Sequence, residues 1–410
     1  MLPYNLTIKP RYFMFNLLII LFFLAQTATA DQTPETSKSR LVPDPPPLEA
    51  SSYYLLDFDS EQTIAAFNED TPIPPASLTK IMTVFVTFRE LADGRLKLDE
   101  PVTVSEKAWR TGGSRMFLEP NKAVTVGELL KGIIIQSGND ASVALAEHIS
   151  GNEVTFAQLM NQTAQSLHMR HTHFVNSMGL PSPDHYSSAH DMAILTRALI
   201  HEFPEYYKWH SEKEYTYNNI TQRNRNKLLW RDPTVDGVKT GHTEEAGYSL
   251  VASAKRDGRR LISVVTGTKS SDARANANQA LLNYGFRFFQ TRKIYPASKT
   301  IAEPRIWLGE TETLPIGLSA DLYVTAPSRS IDQLSSVIET DQEITAPVEQ
   351  GQVLGKLKIM LEETLIAERP LVALQTMPEG GLFRRLYDQA YRLIHETTGY
   401  PMDPQTPTSK

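Results

Sequence analysis

Ser77 and Lys80 stand three residues apart in the run Pro74-Pro75-Ala76-Ser77-Leu78-Thr79-Lys80, and a serine and a lysine so placed could make a nucleophile and its base. A serine hydroxyl attacks slowly near neutral pH unless a base lies within hydrogen-bond reach, and an amine can serve once burial or a neighbouring charge lowers its pKa. Proline followed by serine marks a helix start, so the spacing predicts both side chains one turn apart on the same face. Ile81, Met82 and Val84 supply apolar surroundings that favour the neutral amine. The same residues also read as a Ser N-cap followed by an ordinary first-turn lysine, because Ser-x-x-Lys arises by chance on the order of once in a chain this long.

Two further clusters change that balance. Ser137-Gly138-Asn139 interrupts helical stretches predicted over Glu128 to Gln136 and Ala141 to Ile149, with Gly138 expected to break the helix so that a hydroxyl and an amide point together into a cleft. A plain interhelical turn is the alternative. Lys239-Thr240-Gly241 lies on an expected strand, where lysine and threonine offer a charge and a hydroxyl to a carboxylate and Gly241 lets a substrate approach the backbone. Taken alone, that tripeptide is equally readable as a solvated strand end.

Elements able to hold three such clusters together can be read around them. Tyr53 to Phe58 reads as a strand, and apolar residues recur at helical spacing over Ile81 to Leu91, Val126 to Ile149 and Asp191 to Ile200. Tyr248 to Ser253 and Leu261 to Val265, joined through Arg256-Asp257-Gly258-Arg259, read as a hairpin because Asp-Gly accepts positive φ. A strand, then helices, then a hairpin predict an α+β domain over 51–290, with helices packed on an antiparallel sheet.

Short β-branched or alternating segments, such as Leu322 to Thr325, Val353 to Ile359 and Leu371 to Leu374, predict a small all-β sandwich over 291–377. An amphipathic helix follows at 378–397, with Phe383, Leu386, Tyr387, Ala390, Leu393 and Ile394 on one stripe and Arg384, Arg385, Asp388 and Arg392 off it. That stripe suits docking on the β module or lying in a membrane interface. Residues 398–410 form a tail.

The N-terminus reads as an address. Lys9 and Arg11 precede an apolar run from Tyr12 to Ala25, and Ala28-Thr29-Ala30 gives the small-x-small pattern of a cleavage site. Residues 1–30 are therefore expected to be a signal peptide, with export of the mature protein, and the Pro-, Ser- and Thr-rich stretch 31–50 a linker. Losing Lys9 and Arg11 takes the formal charge from −6 to −8; such an acidic protein is a poor partner for nucleic acid. The chain has no cysteine, which excludes thiol catalysis, disulfides and Cys-type zinc sites. His168, His171 and His173 fit no zinc spacing and read as a polar loop; no metal and no cofactor are expected.

The order Ser-x-x-Lys, Ser-x-Asn, Lys-Thr-Gly matches the signature of penicillin-binding proteins and class A β-lactamases. With Ile135 to Ala141, Asn224-Arg225-Asn226, Lys239 to Thr243 and Tyr284 to Phe289, the chain resembles the low-molecular-mass D-alanyl-D-alanine carboxypeptidases over nearly its whole mature length. The resemblance implies a transpeptidase-like catalytic domain of β-lactamase type, then the β module and a C-terminal membrane-associating helix. It implies Ser77 as nucleophile, Lys80 as base and Ser137 as proton donor to the leaving D-Ala, with Asn139 on the substrate peptide and Lys239 and Thr240 on its terminal carboxylate. The N–H groups of Ser77 and His242 would form the oxyanion hole, Gly241 would lie between, and Arg225 would add positive charge beside Lys239. Peptidoglycan pentapeptide would be the substrate, β-lactam antibiotics covalent inhibitors, and the periplasmic face of the bacterial inner membrane the location. A D,D-endopeptidase shares this chemistry; a β-lactamase would need a positioned Glu and water for fast deacylation.

Overall fold

Asp257 and Gly258 both take positive φ, 49° and 83°, and Arg256 pairs directly with Arg259. Two residues thus reverse the chain with the twist that the flanking strands require. The strands they join, Gly247–Arg256 and Arg259–Thr268, belong to a five-stranded antiparallel sheet in the order Thr63–Phe67, Ser52–Asp57, Arg259–Thr268, Gly247–Arg256, Val235–Thr243. The strand bearing Lys239 is therefore an edge strand. This computed structural model describes residues 42–341 and 343–398, and the elements below belong to the compact unit that begins at Asp44. The expected signal peptide, most of the expected linker and nearly all of the expected tail lie outside the described residues. Among the described residues no helix is long and apolar enough to cross a membrane.

Six consecutive residues of each central strand are buried, where a half-exposed sheet would alternate. Unbroken burial means that both faces are covered, and the helices Ser271–Phe288 and Ala189–Glu202 pack on this sheet. The main apolar core lies in the helical region, where Phe85, Phe88, Leu130, Ile133 and Phe156 are fully buried around the helix Lys80–Ala92. That helix carries Lys80 into the interior. Its position decides where the amine sits.

Between Phe289 and Ala373 the chain is mainly β. Thr300–Ala302, Ile316–Gly317, Thr364–Ala373, Val353–Leu361 and Leu334–Thr340 form a second five-stranded sheet, with the two-stranded pairs Phe289–Tyr295/Leu322–Pro327 and Ile306–Trp307/Ile344–Thr345 beside it. A separate core of Ile306, Leu314, Val324, Leu357, Ile359 and Leu371 fills this module.

Asp57 joins the two cores. Its carboxylate is fully buried and accepts from Arg259 Nε at 2.8 Å, from the Thr291 hydroxyl and, on its other oxygen, from Ser60 N–H at 3.0 Å. Ser60 Oγ bonds Thr325 Oγ1 at 2.6 Å, and Arg259 also donates to the carbonyls of Gly285 and Phe289. One ion pair therefore ties the catalytic sheet, the end of the Ser271–Phe288 helix and the first strands of the β module.

The terminal helix, Leu382–Thr398, sits with its polar face against the protein. Asp388 is fully buried, accepting from Leu308 N–H at 2.8 Å and Arg305 at 3.2 Å. Arg384 reaches Glu312 and Arg392 reaches Glu343, while Trp307 lies between Arg305 and Arg392 at 4.2 and 4.7 Å. The apolar stripe is left outside: Phe383 is 88% exposed and Leu393 63%. A helix that docked through the stripe would bury these residues and expose the charges, as soluble amphipathic helices do. The side chain of Ile394, expected on the same stripe, lies outside the described residues.

Replacing Asp57 with alanine leaves the Arg259 guanidinium without its buried partner, which typically costs about 3–5 kcal/mol. Urea unfolding should show that loss, with the β module and the catalytic sheet both loosened. A change below about 0.5 kcal/mol would mean that the pair is not structural.

Candidate active site

The turn that presents Ser77 begins with Ala76 at a φ of +47°, a left-handed conformation that a non-glycine residue adopts at a cost of about 1–3 kcal/mol. Ala76–Thr79 forms a 3-10 turn that leads directly into the helix Lys80–Ala92. Ser77 caps nothing with its side chain; its Oγ accepts from Lys80 Nζ at 3.0 Å. The N-cap alternative is excluded.

Lys80 is 1% exposed and has two more partners, Asn139 Oδ1 at 2.8 Å and the carbonyl of Met178 at 2.7 Å. Burial chiefly, and then the Arg225 charge, lower its pKa to about 7, against an opposing pull from Asp140. A neutral amine has two hydrogens and one lone pair. Asn139 and Met178 offer only acceptors, so they take both hydrogens and the lone pair is left facing the Ser77 hydroxyl, which is the arrangement a general base needs.

The second cluster breaks the helix in a way that differs from expectation. The α-helix Val126–Lys131 passes into a π-helical turn, Gly132–Gln136, and Ser137 takes the left-handed conformation at φ 63° while Gly138 does not. Gly138 is there for space: a Cβ would sit 3.0 Å from Asp140 Oδ1 and 3.2 Å from Met116 Cβ. Ser137 thus points its hydroxyl at Lys239 Nζ, 3.0 Å away. Asn139 binds more protein than the motif suggests. It accepts from Lys80, donates one Nδ2 hydrogen to Gly112 O at 2.8 Å, and its N–H donates to Ser114 O at 2.7 Å; one Nδ2 hydrogen remains for a ligand.

Lys239 is buried, and burial with the charges of Lys80, Arg225 and Arg274 drives its pKa well down. An anion placed beside these cations would reverse that depression, so anion binding and protonation of Lys239 are coupled. Gly241 also meets a packing need. A Cβ there would lie 3.0 Å from the Pro75 carbonyl and 3.4 Å from Leu78 N, so the glycine lets the edge strand close on the Ser77 turn. His242, one residue on, is exposed and lies over the Tyr248 ring at 3.9 Å.

Ser77, Ser137, Asn139, Thr240, Gly241, His242 and Arg225 all line one open cavity of about 720 Å³. Its further cations are Lys227 and Arg274, and no carboxylate among the described residues lines it. Lys80 and Lys239 reach its walls through their bonds to Ser77 and Ser137.

Several members of the site escaped sequence reading. Arg274 comes from the helix Ser271–Phe288, is buried, and donates to Gly241 O at 2.9 Å; burial and the Arg225 charge lower it to about 10. Asp140, next to Asn139, accepts from the N–H groups of Met116 and Leu118 and so ties down the loop that carries Ser114. The Met178 carbonyl is backbone and has no residue signature. His171, with His190, faces Asp70, and His173 bonds the Asp184 carbonyl. No group of three such side chains among the described residues could hold a metal.

A buried lysine bonded to the half-buried, cavity-lining Ser77, beside an edge strand that carries a second buried lysine, defines a serine acyl-transfer enzyme. Residues 39–270 match the family described as D-alanyl-D-alanine carboxypeptidase, and residues 289–379 match the penicillin-binding protein 5 C-terminal domain. The chain is 42% identical to the D-alanyl-D-alanine carboxypeptidase DacC of Escherichia coli, covering 92% of this chain and 95% of that one. It is 41% identical to penicillin binding protein 5 from Haemophilus influenzae, whose crystal structure aligns with a TM-score of 0.80 over 82% of this chain and 100% of that one. Penicillin-Binding Protein D2 from Listeria monocytogenes, in its ampicillin-bound form, is 28% identical with a TM-score of 0.54, covering 58% of this chain and 98% of that one. The chain belongs to the D-alanyl-D-alanine carboxypeptidase family, whose members are serine peptidases and hydrolases.

Two predictions follow from this geometry. Acylation of Ser77 by a penicillin should rise with pH through about 7 as Lys80 loses its proton, and Lys80→Arg, charged at every accessible pH, should slow it by about 10²–10⁴-fold. Stopped-flow labelling across pH measures both; a flat profile would contradict the first. Gly179→Ala would put a Cβ 1.8 Å from the Ala76 carbonyl at a φ of +89°. It should destabilise the fold by about 1–3 kcal/mol and slow acylation, read by thermal melts and the same labelling.

Proposed function

We propose that the chain removes the terminal D-alanine from peptidoglycan pentapeptides through an acyl-enzyme on Ser77. The observation that carries this reading is the Lys80 amine, 3.0 Å from Ser77 Oγ and held by two acceptors, Asn139 Oδ1 and Met178 O, so that in its neutral form the lone pair is left for Ser77. Lys80 takes the hydroxyl proton as Ser77 Oγ attacks the carbonyl of the penultimate D-Ala. The N–H groups of Ser77 and His242 stabilise the oxyanion. Lys239 and Thr240, with Arg274 and Arg225 nearby, hold the terminal carboxylate, and the free Asn139 amide hydrogen bonds the substrate peptide. The proton taken up by Lys80 passes through the Ser137 hydroxyl, itself bonded to Lys239, to the D-alanine nitrogen as the C–N bond breaks. Water then attacks the ester carbonyl, giving a proton to Lys80, which returns it to Ser77 Oγ as the C–O bond breaks.

The substrate lies alongside the edge strand Val235–Thr243, whose outer side no strand of the sheet covers. A cavity rich in cations favours a free peptide terminus over a cross-link, which supports carboxypeptidase over endopeptidase action. The segment that faces Lys80 is Asn176-Ser177-Met178-Gly179-Leu180, which carries no acid. Glu153 lies behind it, bound to Ser177 and Lys107, so a β-lactamase-type deacylating glutamate has no counterpart there. Ampicillin- and cefotaxime-bound forms of the Listeria protein support β-lactams as slow covalent inhibitors of this chain.

The reading extends to location. Residues 1–30 act as a signal peptide and 31–50 as a linker; 51–290 is the catalytic domain, 291–377 the β module, and the helix expected over 378–397, which spans Leu382–Thr398, associates with the membrane ahead of a tail. The outward stripe of Leu382, Phe383, Leu386, Tyr387 and Leu393 supports peripheral attachment to the periplasmic face of the bacterial inner membrane.

Intact-protein mass spectrometry after penicillin treatment should show one adduct, absent in Ser77→Ala, and the parent should release D-Ala from a pentapeptide faster than from a cross-linked dimer. An unmodified parent would sink the nucleophile assignment. Deleting Leu382 to Lys410 should release the enzyme from membranes, and unchanged association would overturn the role given to the helix.

A further inference from the structure

His185 takes no part in the chemistry above, yet it is 3% exposed and both ring nitrogens are engaged. The Val175 N–H, which can only donate, points at Nδ1 from 3.1 Å. Nδ1 therefore keeps a lone pair, and the neutral ring carries its proton on Nε2. Nε2–H then donates to Thr79 Oγ1 at 2.8 Å. Burial first, then the charges of His173 and Lys80, lower the ring's pKa to about 4. The tautomer thus persists wherever an amine with a pKa of about 7 can act as base.

The two partners of the ring belong to the two segments that must meet at Lys80. Thr79 immediately precedes Lys80 and completes the Ser77 turn. Val175 opens the segment that ends in the Met178 carbonyl, the acceptor of Lys80 Nζ at 2.7 Å. Other bonds shape that segment or tie it lower on the helix. Asn176 Oδ1 accepts from the N–H groups of Met178, Gly179 and Leu180, and Thr83 Oγ1 donates to Ser177 O at 2.5 Å. The backbone pairs Ile73–Ser187 and His173–Tyr186 hold the flanks, and beside the nucleophile turn itself the His185 side chain bridges Thr79 to Val175.

The directionality of Lys80 depends on that seam. With Met178 O in place, one amine hydrogen is fixed and the lone pair is aimed at Ser77. If the carbonyl moves by about an ångström, the amine turns about its last carbon–nitrogen bond and the lone pair leaves the serine, a displacement of the size that costs about 10²-fold in rate. We propose that His185 is a positioning residue for the acylation base, holding the Met178 carbonyl on Lys80 Nζ by bridging Thr79 to Val175. This rests on Lys80 being the base.

The test uses half-replacements of the ring in the full-length enzyme. His185→Gln can restore the donor to Thr79 without the acceptor for Val175, His185→Asn can restore the acceptor without the donor, and His185→Ala removes both. Thr79→Val removes the hydroxyl at nearly constant shape. Acylation by a fluorescent penicillin should fall about 10–100-fold in His185→Ala, with KM for pentapeptide changed less than about twofold because the carboxylate is held elsewhere. Asn and Gln should each recover part of the rate. Thr79→Val should erase the recovery in His185→Gln and add nothing to His185→Asn, the non-additivity of two partners in one bond.

Independent, multiplicative effects of Thr79→Val and the His185 variants would overturn the proposal. So would a loss confined to KM, or a folded His185→Ala that acylates at the parent rate. Thermal melts establish which variants are folded, and if alanine is not tolerated the Asn, Gln and Thr79→Val arms decide the matter. Retained acylation in Lys80→Arg would refute the base assignment without involving His185, so the two failures are distinguishable.

Discussion

Burying an amine next to a serine is the constraint around which this protein is arranged. A lysine side chain taken out of water loses its preference for the charged form, and the rest of the site makes that loss useful. The helix Lys80–Ala92 drives Lys80 inward because its neighbours are core residues. Asn139 and Met178 then supply acceptors but no donor. Arg225, on the cleft rim, adds a positive charge that further disfavours the ammonium. Asp140 acts the other way and keeps the shift moderate. The outcome is a base whose pKa lies in the range where general-base catalysis is most effective.

The same cations have a second consequence. Lys239 is depressed first by burial and then by Lys80, Arg225 and Arg274, so an anion beside it would relieve the repulsion among these cations. Binding energy and protonation are linked in one place. The missing Cβ of residue 241 eases the close approach of the edge strand that carries Lys239 to the Ser77 turn. Backbone contact thereby brings Thr240 and Ser77 to one cavity.

How much of this was legible in the sequence follows from what each part is made of. The Ser77–Lys80 spacing, the Asp257-Gly258 turn and the α+β order could be read because they depend on side-chain type and period. The Met178 acceptor could not, because any residue supplies a carbonyl. Helix interruption at Ser137-Gly138-Asn139 was visible, but the left-handed residue is Ser137, held there while Gly138 makes room for Met116 and Asp140. Arg274 carries no sequence signal of its own; its role depends on the fold laying its helix across the hairpin. In the terminal helix the stripe could be read. Which face docks depends on Asp388 meeting Arg305 and the Leu308 amide, contacts set by chain segments about eighty residues earlier, with pairing partners that no local pattern reveals.

The most direct measurement is a titration of the Lys80 amine itself, by NMR of protein labelled at the lysine side-chain nitrogen or terminal carbon, with Lys80→Arg to assign the signal. The account predicts a midpoint of about 7, moving when Arg225 is neutralised. A midpoint near 10.5, the ordinary value for lysine, would contradict it.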